Sequence, residues 1–270
     1  MRSLIFVLAG VVSCVSNPSR SPSGFGGAKV VCNSETRRAI RQDLFSAPAD
    51  GAIKVAFFDA DSTLRIAPSG SVSASSATDV RILPNVARVL GKLKESGFLI
   101  YILSNQNGVG SGMISCEESE GALRFTISQI FKAGGVVHGY DFAENDDESR
   151  KPGIGMALAL EAKLKEIYGA NAHVDKVNSS MVGDSAFRKR VEGSSKANKN
   201  YVGDWRLDPA GLQMILGTHF SNADRLFAQN YGIYFYEPTD FFGWRKYGVD
   251  VLETMNQVDQ LIKRCTDCTQ

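Results

Sequence analysis

The run Ala52-Ile53-Lys54-Val55-Ala56-Phe57-Phe58-Asp59-Ala60-Asp61-Ser62-Thr63 decides the fold. Its Val55–Phe58 part is β-branched, small or aromatic without a charge, as in a strand buried on both faces of a parallel sheet. It then ends abruptly in acids. Outward from it, Val86, Val89, Leu90 and Leu93 fall at i, i+3, i+4 and i+7, which predicts a helix stopped at Gly97. Phe98-Leu99-Ile100-Tyr101-Ile102-Leu103 repeats the buried-strand pattern and ends at Ser104. Ser115 and Glu118 form a capping-box pair before Leu123, Ile127, Ile130 and Phe131 on one expected helical face. Val136-Val137 begins a weaker strand, Met156, Leu160, Leu164 and Ile167 mark a helix, and Ser180-Met181-Val182 reads as a short strand before Gly183-Asp184. A helix near Ala223 to Ala228, a strand at Ile233-Tyr234-Phe235 and a helix carrying Val251, Met255, Val258 and Ile262 follow. Strands alternating with helices imply βαβ units and a doubly wound parallel sheet of the α/β class.

Composition narrows the function. With 43% hydrophobic and 22% charged residues the 270-residue chain has globular composition, which excludes disordered and fibrous classes. Thirty Lys and Arg against 29 Asp and Glu leave no global positive field, so a polyanion must be met by a local patch. Five Cys are too few for a disulfide scaffold of this length. Cys265-x-x-Cys268 lacks a partner pair for zinc and reads as a tail disulfide or as nothing.

The first residues read as an address. Met1-Arg2 precede the apolar stretch Leu4 to Val12, too short for an ordinary membrane span, and Val11-Val12-Ser13-Cys14 resembles a lipobox whose cysteine takes a lipid anchor. A plain secretory signal, or an apolar extension that targets nothing, has the same letters. The expected organisation is a signal segment 1–14, a Ser/Gly/Pro-rich linker 15–36, one domain 37–264 and a tail 265–270. Export to the periplasm, the medium or a lipid anchor is expected, with an intracellular location as the alternative.

The polar groups collect at strand ends, where ligands bind in open α/β sheets. Asp59 and Asp61, two residues apart, can share one site, one as nucleophile and the other handling protons. Their mutual repulsion calls for a cation, and Mg²⁺ prefers carboxylate oxygen. Ser104 and Asn105 at the second strand end are suitable donors to phosphate oxygens. Lys151 in Arg150-Lys151-Pro152 can neutralise phosphate and the attacking carboxylate, and Asp184 supplies a further acid for the metal. Val202-Gly203-Asp204 repeats the Gly-Asp letters, but Ser195 to Asn200 before it is too polar for a buried strand. His138 reads as a satisfied strand-end residue rather than a catalyst.

In their order, Asp59-x-Asp61-x-Thr63, Ser104, Lys151 and Gly183-Asp184 resemble the stations of haloacid-dehalogenase-superfamily phosphatases. Ser62 departs from the glycine common in that superfamily. A closer resemblance, from Phe57 to Trp244, is to the 3'-phosphatase domain of polynucleotide kinase 3'-phosphatases and their stand-alone relatives. It rests on Ser104 to Gly110, Arg150 to Met156, Val182-Gly183-Asp184 with Arg188, and Phe220-Ser221-Asn222-Ala223-Asp224-Arg225-Leu226-Phe227-Ala228-Gln229-Asn230 leading to Phe241-Phe242. Asp79-x-Arg81-Ile82-Leu83 resembles the segment before that family's first helix. Ser111 stands where the family commonly carries a basic residue, the stretch 189–218 is longer and more polar than usual, and no Walker A pattern occurs in the sequence.

The resemblance implies a Rossmannoid fold and an aspartyl-phosphate mechanism. Asp59 would attack phosphorus, and Asp61 would protonate the leaving oxygen and later activate water. Mg²⁺ would be held by the Asp59 carboxylate, the Asp61 carbonyl and Asp184. Thr63, Ser104, Asn105 and Lys151 would hold phosphoryl oxygens, with Arg150 and Arg188 meeting the strand. The expected partners are 3'-phosphorylated nucleic-acid ends or nucleotides, and no obligate protein partner is evident. The gaps between Thr63, Ser104 and Lys151 leave no room for a sizeable cap domain, so a polymer end could enter. The small-molecule alternative, the histidinol-phosphate and heptose-bisphosphate group, shares Ser-Asn-Gln and Arg-Lys-Pro but often carries a Cys/His zinc loop, and Gly139 to Glu148 has neither residue type. A non-catalytic exported lipoprotein would be marked by loss of Asp59, Asp61 or Asp184, and all three are present.

Overall fold

The computed structural model describes residues 29–32, 36–69, 71, 73–186 and 221–244. Along the chain come β1 (Ala52–Ile53), β2 (Val55–Phe58), β3 (Arg65–Ile66), a 3-10 turn at Ala77–Asp79, β4 (Arg81–Ile82), α1 (Val86–Glu95) and β5 (Leu99–Asn105). They are followed by α2 (Asn107–Gly110), α3 (Cys116–Lys132), β6 (Gly139–Ala143), α4 (Gly155–Tyr168), β7 (His173–Val174) and β8 (Ser180–Val182). After residue 220 come α5 (Ala223–Tyr231), β9 (Tyr234–Tyr236) and α6 (Pro238–Phe241). The expected helix at 251–262, the signal segment with Cys14, Arg188, Asp204, Cys265 and Cys268 lie outside the described residues.

Five strands form one parallel sheet in the order β6-β5-β2-β8-β9. Val55 pairs with Leu99 and Phe58 with Ile102 on one side of β2, while Phe58 pairs with Val182 on the other. The chain moves from β2 outward to β6 and then returns to the opposite side at β8, so the switch point lies beside β2.

Strand alternation sorts the core into two layers. Ala56, Phe58, Ile100 and Ile102 pack with Val86, Val89, Leu90 and Leu93 of α1 and with Leu123 and Ile130 of α3. Val55, Phe57, Leu99 and Tyr101 face the other way, onto Met156, Leu160 and Leu164 of α4 and Phe227 and Tyr231 of α5. Helices therefore cover both faces, as the βαβ reading requires. Gly97 adopts φ +78° after α1, a left-handed turn natural to glycine. The capping box exists: Glu118 N–H donates to Ser115 Oγ at 3.1 Å and Ser115 N–H to Glu118 Oε2 at 2.8 Å. Nothing the size of a cap domain interrupts the described residues.

Three sequence expectations need correction. Phe131 is 55% exposed, because the buried stripe of α3 runs through Ser119, Ala122, Leu123, Thr126 and Ile130, one position round the helix from it. The strand expected to begin at Val136-Val137 is β6, and it begins at Gly139. All five of its residues are buried, and the apolar run expected of such a strand is broken by Asp141, a buried acid paired with Arg37 and Arg38. The expected linker 15–36 also extends too far. Cys32 is bonded to Cys116, and Val30 exchanges hydrogen bonds with the Asn145 amide, so Lys29–Cys32 belongs to the domain.

Candidate active site

Asp59 follows the central strand directly, and its N–H donates to Val182 O at 2.9 Å, which fixes it at the carboxyl end of the sheet. Its Oδ1 accepts from Lys151 Nζ at 2.6 Å. Lys151 is 2% exposed, and its ammonium also donates to Leu103 O at 2.7 Å and pairs with Asp224 Oδ1 at 2.7 Å. The lysine is aimed by its own neighbour: Lys151 N–H donates to Asn105 Oδ1, and Asn105 Nδ2 donates back to Lys151 O. Asn105 thus positions the lysine, a contact that its expected role toward phosphate had not included.

Asp61 faces a different set of groups. Its Oδ1 accepts from Arg65 Nε at 2.9 Å and from Ala74 N–H at 3.1 Å; its Oδ2 accepts from Arg65 Nη2 and Gln106 Nε2, both at 3.2 Å. The same Gln106 Nε2 donates to Ser104 Oγ at 2.7 Å, which leaves the single Ser104 hydroxyl hydrogen for another acceptor. Ser62, between the two acids, sits at φ +61°, the left-handed region in which glycine is at ease; this explains the glycine common at this place, and nothing in the structure explains the serine. Thr63 Oγ1 accepts from Asp184 N–H at 3.2 Å, so here it braces the loop that carries Asp184.

Asp59, Ser104, Asn105, Arg150, Lys151 and Asp184 line one cavity of about 470 Å³, together with Asp61 and Asp224. Arg150 bonds Asn107 Oδ1 on this wall and pairs with Asp146 at 3.4 Å. Thr63 is fully buried behind the wall.

Asp224 is the functional candidate that sequence reasoning missed. Carboxylate oxygens of Asp59, Asp184 and Asp224 lie within 4.8 Å of one another, while the Asp61 side chain stands outside this group. Asp224 Oδ2 accepts from Ser185 N–H at 2.9 Å, so the helix that carries it is tied to the loop after β8. A signal was present: Asp224, Phe227, Ala228 and Tyr231 follow i, i+3, i+4, i+7, placing an acid on the buried face of α5.

The electrostatics fit a cation here. Burial pushes the Asp59 carboxyl up to about 7, with Asp224 adding to the rise and Lys151 opposing it. Burial likewise raises Asp224, again against Lys151. Burial would lower the Lys151 ammonium, but Asp224 and Asp59 outweigh it and hold it above its ordinary value. One ammonium between two carboxylates is therefore not enough to return either to the ordinary range. A hard divalent cation with oxygen ligands suits this donor set.

Comparison with known proteins agrees with the geometry. The profile of the family described as polynucleotide kinase 3 phosphatase matches residues 54–242. An uncharacterized 20.8 kDa protein of Autographa californica nuclear polyhedrosis virus is 32% identical over 202 residues, covering 74% of this chain and 92% of that one. The histidine biosynthesis bifunctional protein HisB of Stenotrophomonas maltophilia is 26% identical over 162 residues, and the chain spans only 43% of its length. Among solved structures, a Mesorhizobium loti protein described as a HAD-like phosphatase superposes with a TM-score of 0.51 at 13% identity, covering 82% of this chain and 89% of that one, which speaks for the fold alone. The profile match begins at the residue before β2 and ends in the aromatic core beside α6, and on that span the chain belongs to the polynucleotide kinase 3 phosphatase family, among the phosphatases of the haloacid-dehalogenase type.

Proposed function

We propose that this phosphatase removes the 3'-phosphate from nucleic-acid ends through an aspartyl-phosphate on Asp59. The observation that carries the reading is that Asp59 and Asp61 open onto one polar cavity, each held by its own buried cation and its own set of donors. Lys151 aims the Asp59 oxygen, whereas Arg65, Gln106 and a backbone N–H hold Asp61 beside it. Asp59 Oδ attacks phosphorus as the bond to the sugar oxygen breaks, and Asp61 delivers a proton to that oxygen. Asp61 then takes a proton from water as water attacks the acyl-phosphate, which returns Asp59 as a carboxylate. Ser104 donates to a phosphoryl oxygen, and the Lys151 ammonium, its three N–H groups held by Asp59, Leu103 O and Asp224, supplies positive charge beside the phosphoryl group, where charge must be balanced in the transition state. Asp59, Asp184 and the Asp61 carbonyl, with Asp224 beside them, would hold Mg²⁺, whose charge would neutralise the phosphoryl group and the clustered acids.

The family match and the absence of a cap among the described residues support a polymer end as substrate. Small phosphomonoesters are the second reading, supported by the HisB relative. Phosphate release from a 3'-phosphorylated oligonucleotide, from a 3'-mononucleotide and from histidinol phosphate separates the two. A higher kcat/KM on the oligonucleotide is expected, with Arg150→Ala and Arg188→Ala lowering that rate more than turnover of an aryl phosphate. Equal rates on histidinol phosphate would overturn the polynucleotide assignment. The N-terminal pattern supports export, with a lipid anchor on Cys14 as one form of it, and the Cys32–Cys116 disulfide suits an oxidising compartment.

A further inference from the structure

Behind Asp61 lies a fully buried cation, Arg65, which the mechanism above names only among the groups beside Asp61 and gives no part in the proton transfer. Arg65 has no exposed surface, and its guanidinium divides between two partners. Nε and Nη2 bracket the two oxygens of Asp61 at 2.9 and 3.2 Å, and Nη1 donates to Thr126 Oγ1 of α3 at 3.0 Å. Thr126 is itself oriented, because its hydroxyl donates to Ala122 O at 2.7 Å and so turns a lone pair toward the arginine. The backbone of Arg65 closes the loop that carries Asp61: Arg65 N–H donates to Ala60 O at 3.1 Å and Ser62 N–H to Arg65 O at 2.8 Å.

Stability alone does not explain such a group. Removing a guanidinium from water is costly, and an apolar side chain of similar size often serves a core equally well. The pair is also one-sided. Asp61 keeps 14% of its side chain exposed toward the cavity, while Arg65 stands wholly behind it. A fork with two parallel N–H groups fixes both the position and the rotation of a carboxylate, which a point charge cannot do.

We propose that Arg65 is a positioning residue that locks the Asp61 carboxyl group in the orientation from which its protonated form hands a proton to the leaving oxygen and becomes the carboxylate, with Thr126 as the anchor of Arg65 on α3. This rests on the proton-transfer role given to Asp61 above. Loss of the lock would matter where the leaving oxygen needs a proton and not where it leaves unaided. An alkyl phosphomonoester needs one; p-nitrophenyl phosphate does not. The ratio kcat/KM reports the steps up to loss of that leaving group, so later hydrolysis of the acyl-phosphate does not blur the comparison.

The test uses the full chain with Mg²⁺, on a 3'-phosphorylated nucleoside and on p-nitrophenyl phosphate. Arg65→Met is expected to lower kcat/KM about 100-fold on the alkyl ester and less than about threefold on the aryl ester, the order expected of displaced acid catalysis. Arg65→Lys should recover part of the loss. Thr126→Val, which keeps the charge and disturbs the core least, should show the same split at about three- to tenfold and decides the matter if Arg65→Met does not fold. Parallel losses on both substrates, or no loss, would overturn the proposal. Asp61→Asn distinguishes the two levels: no split there refutes the role of Asp61 itself, while a split there with none in the Arg65 and Thr126 variants refutes only the positioning.

Discussion

A methyl group on Gly183 would stand 2.3 Å from Asp224 Oδ2 and 2.4 Å from its carboxyl carbon. The Gly-Asp pair after β8 therefore needs its glycine for a reason of space: the missing side chain is where Asp224 reaches the site. Asp224 has little freedom to yield, since Lys151 Nζ and Ser185 N–H hold its two oxygens. Gly183→Ala is expected to push Asp224 out of the acid cluster. The Mg²⁺ concentration for half-maximal activity should rise at least about tenfold, as when a metal site loses a supporting ligand. Asp224→Asn should act in the same direction. A magnesium titration of either variant that overlays the parent would show that Asp224 does not support the metal.

Asp59→Asn is expected to lower turnover by at least about 1,000-fold, because an amide cannot form the acyl-phosphate. It should not weaken the fold. Burial holds the Asp59 carboxyl near 7 in the folded protein, above its ordinary 3.8, so the folded state takes up the proton more readily. Stability attributable to this group is full below about 3.8 and is lost as pH rises toward 7. The amide carries no such loss. Thermal melts without metal should find Asp59→Asn level with or above the parent at pH 8, with the advantage shrinking toward pH 5. A variant that melts lower at pH 8 would contradict this balance.

The central strand was readable in the sequence because burial on both faces leaves an unbroken apolar run, and Asp59 and Asp61 stood out against it. Val86, Val89, Leu90 and Leu93 were equally plain, since an amphipathic helix repeats its signal. Asp141 and Arg65 were opaque for one shared physical reason. Each is a charged residue inside the protein whose burial depends on residues distant in sequence, Arg37 and Arg38 for Asp141 and Thr126 of α3 for Arg65, although Asp61 is only four residues from the latter, so the local pattern reads as a solvated position. Asp224 left a trace on the buried face of its helix but lay far in sequence from the acids it joins. The pairing of Cys32 with Cys116 could not be read from spacing, since five cysteines allow many pairings and Cys32 sat in a stretch of linker composition.

The Cys32–Cys116 bond closes a loop across 84 positions and pins Lys29–Cys32 over Glu144 and Asn145. Long closed loops restrict the unfolded chain strongly, by roughly 2–4 kcal/mol in typical cases. Cys116→Ser should lower unfolding stability by about that amount in denaturant titrations. The parent should lose a similar amount on reduction and the variant nothing further. Insensitivity of the parent to reductant would show that the bond contributes no stability.

His138 gives an acid limit to the fold. Its Nδ1 accepts from Ile100 N–H at 2.8 Å, so the proton of the neutral ring sits on Nε2, which stands 3.3 Å from Leu44 O. Burial draws the ring down to about 4 from its ordinary 6.5, and Lys94 and Arg41 add to the fall against the hydrogen bond to Leu44 O. The unfolded chain takes a proton near 6.5, whereas the folded protein resists until about 4. The contribution is therefore fully present above 6.5 and is lost as pH falls through that window, by about 3 kcal/mol in all. Asp59 acts in the opposite sense over an overlapping range, so the parent's own curve mixes the two. The difference between parent and His138→Asn isolates the histidine, since an Asn oxygen can still accept from Ile100 N–H and nothing at that position titrates. Urea titrations from pH 7.5 to 4.5 should show the parent losing stability relative to the variant step by step below 6.5. A constant difference across that range would mean that His138 is not held neutral by the fold.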